Sequence, residues 1–194
     1  MNLLHVDSSA LGAHSVSREL GAGVVAAWKR NHPTGKVVYR DLAANPLPHW
    51  APVVDADHPS GRVGGDVLEE FLAADVVVVG APMYNFGIPS TLKAWIDRLA
   101  IPGKTFRYTE KGPEGLAGGK KIVLVSSRGG VYSTGSAGAS ADFQEPYLRQ
   151  VFHFFGIDDI EIVRAEGVNL GPQQKAEAIA AAHAAIAEGR RLAA

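Results

Sequence analysis

The chain has 194 residues, of which 46% are hydrophobic and 20% are charged, and its formal net charge is −1. This balance is typical of a globular protein and lacks the basic excess that draws a chain to nucleic acid or to anionic membranes. The sequence contains no cysteine, which excludes disulfides, thiolate nucleophiles and thiolate metal sites. We therefore expect a single domain over residues 1–194, a cytoplasmic location, and no binding to nucleic acid or membrane.

Short apolar runs alternate along the chain with longer amphipathic stretches. The pattern predicts five strands, at residues 3–6, 36–42, 75–80, 120–126 and 160–165, and five helices, at residues 15–31, 65–73, 89–99, 142–155 and 172–192. This alternation is typical of an α/β fold in which a parallel sheet carries helices on both faces. Ligands of such sheets bind beyond the carboxyl ends of the strands, where the strand order switches. The loops after the first, third and fourth strands are therefore the candidate binding loops.

The first of these loops, DSSALGAHSVSREL, brings several serines to the start of the first helix. A helix N-terminus presents unpaired N–H groups and a partial positive charge, so Ser9, Ser15 and Ser17 suit a phosphate. The alternative is that Ser15 or Ser17 is only an N-cap. Arg18 is the one basic residue close to them.

Two other phosphate motifs fail on inspection. The segment GAGVVA at residues 21–26 fits the dinucleotide pattern G-x-G-x-x-A, but it lies inside the predicted helix and not at a strand-to-helix turn. The segment PGKT at residues 102–105 ends like a P-loop, but Arg98 stands where that motif needs its first glycine. Nucleoside triphosphate chemistry is therefore not expected.

The second loop, APMYNFGIP, follows the apolar run DVVVVG and carries three large side chains around one asparagine. Met83, Tyr84 and Phe86 offer flat or soft surfaces, and Asn85 offers a donor and an acceptor to a polar heterocycle. The alternative is that the three large side chains are core residues that close the end of the sheet. Three such residues around an asparagine on a short loop favour a ligand surface.

The third loop, SSRGGVY, can form a nest of backbone N–H groups suited to negative charge or to carbonyl oxygens. Arg128 within it either adds a cation or is a solvated surface charge. Together the three loops predict one phosphate site and one site for a flat polar ring, which fits a mononucleotide better than a dinucleotide. Flavin mononucleotide (FMN) is the natural candidate.

Several motifs, in this order and spacing, resemble the FMN-dependent NADH-azoreductases, also called NADH:quinone oxidoreductases. They are SS-x5-S-x-S, PMYNF-x-IP-x2-LK-x-W-x-D, TFRYTEKGPEGL and SRGGVY, and the resemblance extends over almost the whole chain through DLAANPLP, PYL and AEG. It implies a flavodoxin-like three-layer sandwich whose five-stranded parallel sheet has the order 2-1-3-4-5. It also implies bound FMN, NADH or NADPH as co-substrate, and a homodimer with the active site at the interface.

The resemblance further implies roles for individual residues, none of them catalytic, because the chemistry takes place on FMN. Phosphate contacts are implied at Ser9, Ser15, Val16 and Ser17, and ring contacts at Met83, Tyr84, Asn85, Phe86, Ser127, Arg128, Gly129 and Gly130. Tyr108, Phe154 and Asn85 are the substrate-pocket candidates, the first two partly across the dimer interface. The alternative for Phe154 is an ordinary core position in the amphipathic stretch YLRQVFHFFGI. No histidine spacing indicates a metal site.

Two departures from the family pattern affect the substrate opening. Ile101 stands where many relatives carry a basic residue, which predicts a more apolar pocket rim. The segment between Trp50 and Val67 is shorter than in longer relatives, which bears on substrate preference.

The expected function is an FMN-dependent oxidoreductase that passes two electrons from NAD(P)H to quinones and azo compounds by a ping-pong mechanism. The alternatives are an NAD(P)H-dependent FMN reductase that releases reduced flavin, a flavodoxin-type electron carrier, and a cofactor-free interaction module. Carriers of that type are usually strongly acidic, and this chain is not.

Overall fold

The computed structural model describes residues 1–51 and 59–188 of the chain. The strands are β1 (Asn2–Asp7), β2 (Lys36–Asp41), β3 (Val76–Pro82), β4 (Phe106–Thr109), β5 (Gly112–Gly115), β6 (Lys121–Ser127) and β7 (Ile160–Ala165). The helices are α1 (Val16–Asn31), α2 (Pro59–Ala73), α3 (Ser90–Leu99), α4 (Glu145–Phe154) and α5 (Pro172–Glu188). Short 3-10 helices, Gly12–His14 and Ala139–Ala141, precede α1 and α4.

Five of the strands form one parallel sheet in the order β2-β1-β3-β6-β7. Because β6 and β7 are the fourth and fifth strands of this sheet along the chain, the predicted flavodoxin-like order 2-1-3-4-5 is confirmed. The strand order switches between β1 and β3, which are direct neighbours.

Two apolar cores cover the two faces of the sheet. Val77 and Val79 of β3 pack with α2, α3 and α4 on one face, and Val76 and Val78 pack with α1 and α5 on the other. Successive side chains of a strand point to opposite faces, so a strand buried on both sides must be apolar throughout. This explains the run VVVV and confirms the predicted three layers.

Several element boundaries differ from the sequence prediction. Helix α2 begins at Pro59 and not at residue 65. Helix α4 begins at Glu145 and not at residue 142, because Asp142 uses Oδ1 to accept the N–H groups of Gln144 and Glu145. The end of the predicted last helix, residues 189–192, and residues 52–58 of the segment expected to be shortened lie outside the described residues.

An antiparallel hairpin of β4 and β5 lies apart from the main sheet and was not predicted. Just after it, the Ala117 N–H donates to the carbonyl of Phe155, 2.9 Å away. An ideal Cβ on Gly115 would lie 2.1 Å from the Gly156 nitrogen, so glycine is required for this close approach. The hairpin is thereby fixed against the end of α4.

No helix within residues 1–51 and 59–188 combines the length and the apolar character that a membrane crossing needs.

Candidate functional site

Three loops lie at the carboxyl ends of adjacent strands: loop 1 (residues 8–15) after β1, loop 2 (residues 83–89) after β3 and loop 3 (residues 128–138) after β6. The Tyr84 hydroxyl lies 3.3 Å from Ser9 Oγ, which joins loops 1 and 2. The Met83 N–H donates to the Ser127 carbonyl at 2.8 Å, which joins loop 2 to the end of β6. Hydrogen bonds therefore bring the three candidate loops together at one edge of the sheet.

The serines of loop 1 lie around the first turn of α1. Ser15 is the N-cap, and its Oγ accepts the Arg18 N–H at 3.3 Å and lies 3.1 Å from Ser17 Oγ. The N-cap interpretation is therefore correct for Ser15. The N–H groups of Val16 and Ser17 have no acceptor within the helix, because they belong to its first turn.

Loop 1 has a buried base and an exposed rim. Ser9, Ser15 and Ser17 are buried, whereas every residue from 10 to 14 is exposed. The base therefore combines three hydroxyls with the positive end of a helix dipole, which is the donor set that phosphate oxygens require.

Arg18 links loop 1 to the end of β2. Its Nε and Nη2 donate to the Ser9 carbonyl at 3.2 and 2.9 Å, and its Nη1 and Nη2 donate to the two carboxylate oxygens of Asp41 at 2.6 and 2.7 Å. Nη1 also donates to the Tyr39 hydroxyl at 3.2 Å. The hydrogen bond from Arg18 lowers the pKa of the Asp41 carboxyl to about 2, from the usual 3.8.

A buried carboxylate, Asp7, lies directly below loop 1. Its Oδ2 accepts the Tyr39 hydroxyl at 2.9 Å, whereas Oδ1 has no hydrogen-bond partner in the described part of the chain. His5 Nε2 lies 3.5 Å from Oδ1. An ideal Cβ would lie 2.6 Å from that oxygen if built on Gly80, and 2.8 Å from His5 Nε2 if built on Gly21. Gly21 is thus a packing position and not part of a dinucleotide motif.

Loop 2 is a tight turn with two non-glycine residues in the left-handed region. The φ angles of Asn85 and Phe86 are 49° and 69°. Reciprocal 3.0 Å hydrogen bonds join the main chains of Tyr84 and Gly87 around them. Asparagine tolerates this conformation, but an aromatic residue there costs roughly 1–2 kcal/mol. Observed strain of this kind is typical of functional loops.

The loop 2 side chains are not core residues. Phe86 is 51% exposed, Asn85 is exposed, and Met83 and Tyr84 are half-buried. The interpretation of these side chains as plugs for the end of the sheet is therefore wrong. The loop presents an aromatic ring and an amide to its surroundings, as the ligand interpretation requires.

Loop 3 is held by the segment that follows β7. The carbonyls of Gly129 and Gly130 accept the N–H groups of Asn169 and Gly167 at 3.1 and 2.9 Å. An ideal Cβ on Gly129 would lie 2.7 Å from Asn169 Nδ2, so a larger residue here would displace the Asn169 side chain. Among the described residues, no acceptor is found for the N–H groups of Gly129 and Gly130, which leaves them free to face a ligand.

Arg128 is wholly buried and lies among carboxylates. Its Nη2 lies 2.9 Å from Asp142 and 2.7 Å from Glu145, its Nη1 lies 3.1 Å from Glu166, and its Nε donates to Gln144 Oε1 at 3.0 Å. The interpretation of Arg128 as a solvated surface charge is therefore wrong. Its guanidinium is also committed to protein acceptors, so a ring contact at this position would come from the main chain.

One carboxylate beside Arg128, that of Glu166, is kept ionised by its neighbours. Burial raises the pKa of Glu166, but hydrogen bonds from the Tyr132 N–H, the Ser133 side chain and Arg128 outweigh burial, and the pKa is lower than usual. Glu145 also accepts two hydrogen bonds from Arg164, at 2.9 and 2.6 Å. The cluster therefore joins loop 3, the start of α4 and the end of β7.

The hairpin and α4 bring two of the three substrate-pocket candidates together. The Phe106 ring centroid lies 5.5 Å from that of Tyr108 and 4.5 Å from that of Phe154. Phe154 packs partly against the core, as its alternative interpretation expects, whereas Tyr108 is 75% exposed. Asn85, the third candidate, lies apart from this row, in loop 2.

A cavity of about 630 Å³ opens beside loop 2. Its lining residues are Tyr84, Asn85, Gly87, Ile88, Pro89, Ser90, Lys93, Phe143 and Tyr147. Within residues 1–51 and 59–188, no cluster of three or more histidine or carboxylate side chains could hold a metal ion.

The chain matches the flavodoxin-like fold family over residues 1–189. It is 59% identical to the FMN-dependent NADH:quinone oxidoreductase of Rhizobium meliloti (strain 1021), and the match covers 99% of this chain and 98% of the relative. The chain belongs to the FMN-dependent NADH:quinone oxidoreductase family. An enzyme of that name from Xanthomonas oryzae pv. oryzae (strain MAFF 311018) is 57% identical over 96% of this chain and 95% of its own. The crystal structure of azoreductase from Bacillus anthracis str. Sterne superposes with a TM-score of 0.88 at 33% identity, covering 97% of each chain.

The residues present fit FMN, the cofactor that the family name implies. Loop 1 offers hydroxyls and first-turn amides to a phosphate, and Arg18 and Arg128 are both occupied by protein acceptors. Loops 2 and 3 offer an exposed aromatic ring, an amide side chain and two glycine N–H groups, which suit a flat heterocycle with carbonyl and N–H edges. The donor set therefore matches both ends of the cofactor.

Sequence reasoning missed the residues that hold the loops in place. Asp41 begins the motif DLAANPLP and Glu166 lies in the motif AEG, but the sequence predicts no role for either residue, nor for Asp142 and Glu145. A further signal is the position of Asp41 at the carboxyl end of the second strand.

Proposed function

We propose that this chain passes two electrons from NADH or NADPH, through bound FMN, to quinones and azo compounds by a ping-pong mechanism. The names and the high identity of the relatives support this activity. The single observation that carries the site assignment is the left-handed pair Asn85 and Phe86, exposed beside loop 3 at the carboxyl edge of the sheet.

The proposed FMN site runs from loop 1 to loop 3. The phosphate is held by Ser9, Ser15, Val16 and Ser17. The ring is surrounded by Met83, Tyr84, Asn85, Phe86, Ser127, Arg128, Gly129 and Gly130. Arg128 contacts the ring through its main chain. FMN supplies the redox chemistry when bound, so no protein nucleophile is required. The protein residues bind and orient the ring, and the N–H groups of Gly129 and Gly130 donate toward negative charge at its polar edge.

The substrate pocket is proposed to be completed in a homodimer. Tyr108 is largely exposed at the hairpin and leans on the row of Phe106 and Phe154, so it presents a flat surface away from its own core. The cavity beside loop 2 gives a second aromatic wall next to Asn85. A flat quinone or azo compound fits between two such surfaces. Ile101 is half-buried, in line with the expected apolar rim.

Steady-state kinetics of the FMN-loaded full chain test the mechanism. One site that serves two substrates in turn predicts parallel double-reciprocal lines when NADH is varied at several fixed benzoquinone concentrations. Intersecting lines would contradict the ping-pong mechanism. Free FMN that turns over as a substrate would instead identify an FMN reductase, and slow reduction of bound FMN by NADH would identify an electron carrier.

Two further expectations stay predictions: a single FMN-binding domain over residues 1–194 and a cytoplasmic location. Limited proteolysis and cell fractionation test them.

A further inference from the structure

Every N–H donor of the Arg18 guanidinium is hydrogen-bonded to an acceptor of the protein. An arginine has five such donors: one on Nε, two on Nη1 and two on Nη2. Nε and Nη2 donate to the Ser9 carbonyl, Nη1 and Nη2 donate to Asp41, and Nη1 donates to the Tyr39 hydroxyl. No donor remains for a phosphate oxygen.

The acceptors of Arg18 are themselves fixed. Asp41 Oδ1 accepts the N–H groups of Ala43 and Ala44, both at 3.0 Å, so the carboxylate is locked in the turn after β2. Arg18 therefore ties the Ser9 carbonyl to a rigid point outside loop 1. The guanidinium is planar and delocalised, so a lysine cannot reproduce this fork of hydrogen bonds.

The local charge also opposes a direct contact between Arg18 and phosphate. Two carboxylates, Asp7 and Asp41, lie 3.6 and 2.6 Å from Arg18 Nη1. A phosphate that recruited Arg18 would have to break the bidentate pair with Asp41 and leave both carboxylates without their cation.

We propose that Arg18 is a positioning residue for the phosphate site: it shapes loop 1 by holding the Ser9 carbonyl against Asp41, and it does not contact the phosphate. This inference rests on the proposed FMN site, because it assumes that loop 1 takes the phosphate. The phosphate is then held by hydroxyls and main-chain amides, without a basic side chain from loop 1 or α1.

The test is the affinity of the flavin-free full chain for FMN and for riboflavin, which lacks the phosphate. The informative variant is Asp41→Asn, which removes a negative charge and keeps Arg18. If Arg18 acts through Ser9, this variant loses about tenfold in FMN affinity, the size expected for one charge-assisted hydrogen bond, while riboflavin affinity is unchanged. Arg18→Lys shows the same selective loss, because the charge stays but the fork is gone.

A matched control is Glu70→Gln. Glu70 in α2 accepts a similar bidentate pair of hydrogen bonds from Arg40, which precedes Asp41 in β2, and both distances are 2.7 Å. Neither hydrogen bond involves loop 1. We expect its ratio of FMN to riboflavin affinity to equal that of the unchanged chain.

Each other outcome has a distinct meaning. If Asp41→Asn binds FMN as tightly as the unchanged chain, the link from Arg18 to Asp41 does not shape the phosphate site; if it binds FMN more tightly, a freed Arg18 contacts the phosphate. Either result overturns the inference. If it weakens FMN and riboflavin equally, the network is only structural and the inference also fails. If the unchanged chain itself binds riboflavin as tightly as FMN, loop 1 holds no phosphate and the proposed site is wrong.

Discussion

Loops 1 and 3 both follow a strand of the sheet and both contain or adjoin one arginine, but the two arginines differ in their surroundings. The side chain of Arg18 keeps 18% of its surface exposed and orders one turn of chain. The side chain of Arg128 is 0% exposed and lies among three carboxylates from distant parts of the sequence. The first arginine therefore acts on the shape of one loop, and the second belongs to the fold itself.

The largest effect that tests this comparison is expected for Arg128→Met. It leaves the buried Glu145 and the partly buried Asp142 and Glu166 without their central cation, which costs roughly 3–5 kcal/mol. Urea denaturation of the full chain measures the free energy of unfolding. The control is Arg164→Met, which removes a partly exposed arginine that pairs with Glu145 alone and should cost much less. Equal losses for the two variants would contradict a central role for Arg128.

A smaller effect on the free energy of unfolding is expected from the ionisation of Asp41. Its pKa is about 2 in the folded chain and 3.8 without partners, so the folded state binds its proton less tightly. The ionised Asp41 carboxylate therefore stabilises the folded state. This stabilisation is fully present above about pH 4 and is lost as the pH falls toward 2. It amounts to about 2 kcal/mol, because one unit of pKa corresponds to about 1.4 kcal/mol.

The measurement is the difference in unfolding free energy between the unchanged chain and Asp41→Asn at several pH values. Subtracting the variant removes the contribution of the other carboxylates. The difference should shrink from pH 5 to pH 2, and a difference that is constant over this range would show that Asp41 is not stabilised by Arg18.

The smallest effect is expected in loop 2, between Phe86→Gly and Phe86→Ala. Both variants lose the aromatic ring, but only glycine accepts a φ of 69° without strain. The glycine variant should therefore be about 1 kcal/mol more stable than the alanine variant in thermal or urea unfolding without flavin. Both should bind FMN more weakly than the unchanged chain. A glycine variant that is less stable than the alanine variant would show that loop 2 carries no strain.

The sequence was sufficient for the sheet but not for the residues that hold the loops. Short runs of β-branched residues such as VVVV are typical of strands buried on both faces, and the alternation of strands and helices leaves few possible strand orders. The partners of Arg128 lie 14, 17 and 38 residues away along the chain, at Asp142, Glu145 and Glu166, and no local pattern records such contacts. The hairpin FRYTEKGPEG was missed because its strands are short and largely exposed.

The sequence predicts the exposed side chains of loop 2, but it does not predict the conformation of the loop 2 main chain. Tyrosine, asparagine and phenylalanine together indicate a ligand surface, but a positive φ at Phe86 contradicts its local preference. The reciprocal hydrogen bonds between Tyr84 and Gly87 hold that geometry, together with the Phe143 N–H, which donates to the Phe86 carbonyl at 3.1 Å.

The close approach of Asp7 Oδ1 to Gly80 restricts which substitutions the two positions can accept in this family. Because Asp7 Oδ1 occupies the place of a side chain on Gly80, the two positions form one steric unit across β1 and β3. A homologue with alanine at position 80 should carry a residue shorter than aspartate at position 7, and it then loses the acceptor for Tyr39. Substitutions at positions 7 and 80 should therefore covary among homologues, although the two residues are 73 positions apart in the chain.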